Sequence, residues 1–175
     1  MYAFMAIIFM VVSFFVPLVS FTHKPDYTLI FLLTAAANLP YLLGVPLGYI
    51  ADSATTISLR RVMVAGLLLL LMLPFISFLW LKLAVIFIIA TCVYYSMLVL
   101  ERLATLHETR SHMGSLSGAF LSISQIGQIL SPVVIGLLID FRSLSFAMNT
   151  LFVLGIIVII PLFMKKVRLF EVIDK

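Results

Sequence analysis

Residues 62–100, VMVAGLLLLLMLPFISFLWLKLAVIFIIATCVYYSMLVL, hold one charged side chain, Lys82, in 39 positions. A surface helix needs a polar face and a half-buried strand alternates; this run has neither. It is about twice the ~20 apolar residues that cross a hydrocarbon core of about 30 Å. The run therefore predicts two membrane-spanning helices, 62–80 and 83–100, meeting in a tight hairpin around Leu81 and Lys82.

Outward from that hairpin the chain repeats the pattern. Further apolar stretches cover about 2–21, 28–50, 114–139 and 144–164, giving six expected spans over residues 1–164 and a basic tail over 165–175. A span must satisfy its own backbone hydrogen bonds, and none of these runs alternates as the strands of a membrane barrel do. The fold class expected is all-α, a polytopic bundle of six transmembrane helices.

Composition excludes other classes. Hydrophobic residues make up 64% of the 175 and charged residues 10%, too little polar surface for a dissolved domain. The net charge of +4 is spread between apolar runs instead of lining a face, which excludes a nucleic-acid partner and leaves the lipid bilayer as the first one. A single cysteine, Cys92, excludes an internal disulfide and any multi-thiolate metal site, so neither metal nor cofactor is expected.

Charge sets the orientation. Arg60, Arg61, Arg102, Arg110, Lys165, Lys166, Arg168 and Lys175 fall on one side of the zigzag, and Lys24, Lys82 and Arg142 on the other, eight against three. The positive-inside rule then places both termini in the cytoplasm of a cell whose plasma membrane holds the chain. The first apolar run lacks the basic lead and small-residue cleavage site of a secretion signal, so it reads as a retained span. It begins at once at Met1, as expected for a piece of a longer protein or for a chain that starts at the membrane surface.

Polar residues inside spans mark the helices that look inward, because an amide or hydroxyl facing lipid goes unpaired. Thr34, Asn38 and Tyr41 share one stripe of the second span. Ser117, Ser124, Gln128 and Ser131 share one on the fifth, with Gln125 beside it, and Thr91, Cys92, Tyr94, Tyr95 and Ser96 cluster on the fourth. Ser13 and Ser20 flank Pro17 in the first. The third span offers only Ser77, and the sixth only Ser145, Asn149 and Thr150, so these two are expected at the periphery. Isolated hydroxyls bond a carbonyl one turn back in most membrane helices. An amide has more bonding sites than its own helix can meet, so Asn38, Gln125 and Gln128 serve either as interhelical glue or as substrate contacts. The candidates for a substrate cavity are Asn38, Tyr41, Tyr94, Tyr95, Ser124, Gln125 and Gln128.

Two segments carry a family resemblance. Gly48-Tyr49-Ile50-Ala51-Asp52, followed by Arg60-Arg61, resembles the signature loop that joins the second and third helices of major facilitator superfamily transporters. Gly118, Gly127, Ser131-Pro132 and Ile135-Gly136 resemble the Gly/Pro pattern of that superfamily's fifth helix and its eleventh counterpart. The resemblance implies one six-helix half of a transporter built from two, and the short basic tail favours the C-terminal half. It also implies alternating access for a small-molecule substrate, a second six-helix half as partner, and no covalent chemistry. Gly48, Asp52, Arg60, Arg61, Gly127, Pro132 and Gly136 are then the gating and signature-loop candidates. Gly48 is expected to permit close helix approach, Asp52 to cap or bridge the loop, and the arginines to anchor at headgroups. No acid lies deep in a span, so any coupling acid is expected in the second half.

Two alternatives belong to other classes. Ser117-Gly118 resembles the nucleophile of intramembrane serine proteases, but His23, His107 and His112 all fall in connections, out of reach of a buried serine. His107, Glu108 and His112 read as a solvated loop and not as a metal site. A six-span subunit that pairs with itself, or a channel-like accessory protein without transport of its own, fits the same spans.

Overall fold

A computed structural model describes residues 27–105 and 113–163. The expected first span, the Arg110 connection and the basic tail lie outside the described residues. Among those described, the chain is all-α, with no strand. Helix α1 is Tyr27–Asn38, a 3-10 turn covers Leu39–Leu43, and α2 is Gly44–Asp52. Helix α3 is Thr56–Met72, a second 3-10 turn covers Leu73–Phe75, α4 is Leu79–Thr105, α5 is Met113–Phe141 and α6 is Leu144–Phe163.

Proline explains where the apolar runs break. The expected second span is not one helix: Pro40 opens the 3-10 turn, and Pro46 is tolerated because it falls in the first turn of α2, where its N–H would have no partner. Pro74 lacks the N–H that would bond one turn back, so α3 stops at Met72 and the backbone is extended at Ile76. The hairpin therefore turns at 76–78 and not at Leu81 and Lys82, which lie in the first turn of α4, the Lys82 N–H donating to the Phe78 carbonyl at 3.0 Å. Helix α3 also begins six residues earlier than the apolar run. Thr55 accepts from the Ser58 N–H at 3.2 Å while the Ser58 hydroxyl accepts from the Thr55 N–H at 3.0 Å, a capping box that starts the helix at Thr56.

Helix α4 is the centre of the fold. It packs against α1, α2, α3 and α5, and α6 lies against α3 and α5. Ile86, Ile89, Val93, Ser96 and Leu100 of α4 are buried, as are Leu59, Met63, Leu67 and Leu70 of α3, the latter spaced four, four and three apart along one stripe. Leu33 of α1 and Ala147, Val158 and Ile159 of α6 complete the core. Helices α3 and α6 approach most closely at Gly155, where an added Cβ would stand 2.6 Å from Leu67 Cδ2.

Burial differs between the span expected at the periphery and the one expected inward. The third span, expected at the periphery, supplies one full face of the core. The fifth, expected inward, leaves Leu121, Ile126, Ile129, Val133 and Leu137 exposed. Two helical segments among the described residues, Phe31–Asp52 and Leu79–Leu103, are long and apolar enough to cross a membrane.

Candidate functional site

Helices α1, α2 and α4 bring two groups of side chains together, one at the cytoplasmic end of the expected topology and one deeper along α4. The first group centres on Arg102. In the last turn of α4, its Nη1 donates to the Ala51 carbonyl at 2.8 Å, and its Nε lies 4.0 Å from Asp52 Oδ1. Ala51 and Asp52 end α2, so the guanidinium meets the negative end of a helix dipole at a carbonyl that also accepts the Ala54 N–H at 3.1 Å. Asp52 is open to solvent along most of its side chain, which leaves the carbonyl contact as the firmer half of the link. Arg102 entered the sequence reading only as a charge in a connection. Its signal was a basic residue in register with the α4 apolar face, but its partner 51 positions away had none.

The second group is the Tyr41–Tyr94 pair. The rings lie 4.6 Å apart between centroids and are tilted by 53°, Tyr41 standing on the 3-10 turn and Tyr94 on α4. The turn forms because Asn38 ends α1 and Pro40 follows it. Gly44 allows the close approach, since a Cβ there would stand 3.1 Å from the Tyr94 hydroxyl. Tyr41 is 43% exposed, so the pair presents aromatic surface to the outside of this bundle, while the Tyr94 hydroxyl lies against Gly44. Tyr94 is eight residues before Arg102, about 12 Å along the helix.

The remaining cavity candidates divide. Tyr95 is buried and its hydroxyl lies 3.4 Å from Ser58 Oγ, so it ties α4 to the first turn of α3 and does not share the Tyr94 face. Asn38 is exposed and its Nδ2 donates to the Thr34 carbonyl at 2.8 Å, one turn back in its own helix, leaving its oxygen outward. Gln125 is exposed on α5. The side chains of Ser124, Gln128 and Pro132 lie outside the described set, though α5 runs helical through all three positions. Hydroxyls elsewhere bond within their helices, Thr91 to Phe87, Ser96 to Cys92 and Thr150 to Phe146, as expected for isolated Ser and Thr in such helices.

The gating candidates also divide. Gly48 and Gly136 have open space where a Cβ would stand, so neither is the site of a close helix contact; Gly44, Gly66 and Gly155 fill that role. Gly127 is buried. Arg60 and Arg61 do not act as a pair. Arg61 is exposed, whereas Arg60 turns across Phe163 of α6, its Cζ 5.4 Å from the ring centroid. Among the described residues no group of three or more His, Cys, Asp and Glu side chains is placed to hold a metal. No family model matches the chain, and no curated protein or solved structure matches it.

Proposed function

We propose that this chain is a six-helix half of a major facilitator-type secondary transporter, favouring the C-terminal half, that moves a small molecule across the membrane by alternating access. The observation that carries the reading is the double engagement of Arg102 with Ala51 and Asp52. It joins the end of the signature-like segment to the end of the fourth span, so that these two helices move as one body when one half rocks against the other. Asp52 is the weak, hydrated member and Arg102 the strong one.

Depth supports the same reading. With Arg102 near the headgroups, Tyr94 and Tyr41 lie about 12 Å inward, close to the middle of a core about 30 Å thick, where transporters of this kind bind substrate. The exposed Asn38 amide and the Tyr41 ring give that part of the chain a polar group beside aromatic surface. In this reading all six spans cross the membrane, both termini are cytoplasmic, and the protein does no covalent chemistry. The uncovered apolar residues of α5 support a second six-helix half against it, supplied by another chain or by a second copy. A self-paired six-span subunit without transport rests on that same α5 surface.

Transport measured in proteoliposomes tests the proposal. A panel of sugars, amino acids and lipophilic cations is expected to include at least one solute whose flux depends on the chain. Y94A and R102A are each expected to reduce that flux by about tenfold, the scale of about 1.4 kcal/mol. A flux indifferent to both substitutions overturns the assignment of this face. No flux for any solute, with self-pairing alone in crosslinked native membranes, favours the subunit reading.

A further inference from the structure

Helices α3 and α6 leave an open apolar groove of about 470 Å³, its walls including Val64, Leu67 and Leu68 from α3 and Ile156, Ile160 and Phe163 from α6. The two helices meet at Gly155, where an added Cβ would stand 2.6 Å from the side chain of Leu67, a residue that lines the groove. Arg60 stands one turn before Val64 at the same end as Phe163. Its Nε is shielded from solvent and has no hydrogen-bond acceptor among the described residues, although its guanidinium lies over the Phe163 ring.

We propose that this groove is a binding site for an anionic phospholipid, one acyl chain lying between α3 and α6 and the phosphate on Arg60. Arg60 to Leu68 covers about 12 Å of helix and Phe152 to Phe163 about 16 Å, close to the roughly 15 Å depth of one leaflet. An aliphatic chain fills a groove of this lining without leaving a polar group unpaired. A phosphate at the rim offers an anionic acceptor that the terminal nitrogens of the planar guanidinium take through two parallel bonds. The cation–π contact holds the guanidinium at the rim, facing the headgroup level, instead of letting it extend into water. Choline-headed lipids carry the same phosphate with a fixed positive charge beside it, so the site prefers a headgroup of net negative charge. The inference rests on the membrane part of the proposed function and is independent of transport.

The full chain, extracted in neutral detergent and delipidated, is offered phosphatidylglycerol or phosphatidylcholine with the same acyl chains, and bound lipid is read by native mass spectrometry. Wild type is expected to retain the anionic lipid about five-fold over the zwitterionic one, a preference of about 1 kcal/mol. R60Q removes the preference, R60K keeps part of it, and K82Q, with the same loss of charge outside the groove, keeps all of it. I156W fills the groove and lowers retention of both lipids with Arg60 intact. Equal retention by wild type, an undiminished preference in R60Q, or displacement of the lipid by free glycerol phosphate overturns the site. Alkaline carbonate extraction of the expressing membranes separates the two levels of failure: a chain released into the supernatant overturns the membrane reading together with the site, and a chain retained without lipid preference overturns the site alone.

Discussion

Arg102 Nη1 donates to the Ala51 carbonyl across 51 positions of sequence, a 2.8 Å contact that fastens the end of α2 to the end of α4. The carbonyl belongs to the last turn of a helix and also accepts the Ala54 N–H at 3.1 Å, so the arginine adds an interhelical tie to a helix end that the backbone already caps.

Removing that tie should cost stability as well as flux. R102A is expected to destabilise the folded chain in detergent by about 1.5 kcal/mol, the usual worth of a hydrogen bond to a charged group. R102K recovers part of this. D52N should change stability by under about 0.5 kcal/mol, because its side chain is hydrated and 4.0 Å from the guanidinium. Thermal unfolding followed by circular dichroism reads all three; a D52N cost equal to that of R102A would make the carboxylate the principal partner.

Tyr95 should prove structural and Tyr94 functional. Y95F removes one side of the 3.4 Å contact with Ser58 and is expected to cost about 1 kcal/mol. S58A costs more, since it also breaks the capping box at Thr55. The double variant should fall short of the sum, because the two share one contact. Additive losses in the same unfolding experiment would place Tyr95 and Ser58 in separate environments.

The Gly155–Leu67 contact predicts a rescue. G155A brings a methyl against the Leu67 side chain and should cost about 1 kcal/mol, with G155V costing more. L67A alone opens a cavity and costs about 2–4 kcal/mol. Together, G155A and L67A should cost less than the sum, since the new methyl enters the space the leucine left. A strictly additive pair would mean that α3 and α6 do not meet at this point.

Topology can be read across α3 alone. In a Cys92→Ser background, S53C and S77C place exposed thiols at opposite ends of that helix. A membrane-impermeant maleimide is expected to label S77C on intact cells and S53C only after permeabilisation. Labelling of both from the same side would remove α3 from the set of spanning helices and reverse the charge-based assignment of sides.

Much of the helical order was legible because its causes are local. The apolar runs at 83–100, 114–139 and 144–164 became α4, α5 and α6 within a few residues at each end. The hairpin position was misjudged because Lys82, the single charge, drew the turn toward itself. Pro74, which breaks a backbone hydrogen bond, decided the turn instead. The start of α3 was missed for a related reason: a capping box of Thr55 and Ser58 carries no hydrophobic signal.

The site was less legible. Asn38, Tyr41 and Tyr94 were selected as polar residues in apolar helices, and Tyr41 and Tyr94 do meet. Tyr95 was selected by the same test although it faces α3, since adjacent positions on a helix point about 100° apart and composition cannot say which of two tyrosines looks inward. The division of Arg60 from Arg61 follows the same rule.

The sequence by itself determined the all-α class, the apolar helical segments and the uneven placement of Lys and Arg, because hydrophobicity and hydrogen-bond satisfaction act within each segment. Only the tertiary structure decided that α4 is the centre, that Arg102 finds Ala51, and that Arg60 lies over Phe163, which lines a groove between α3 and α6. Those outcomes depend on which faces of distant helices meet. A glycine against a leucine or an arginine against a helix-end carbonyl settles that choice, and no single segment contains both partners.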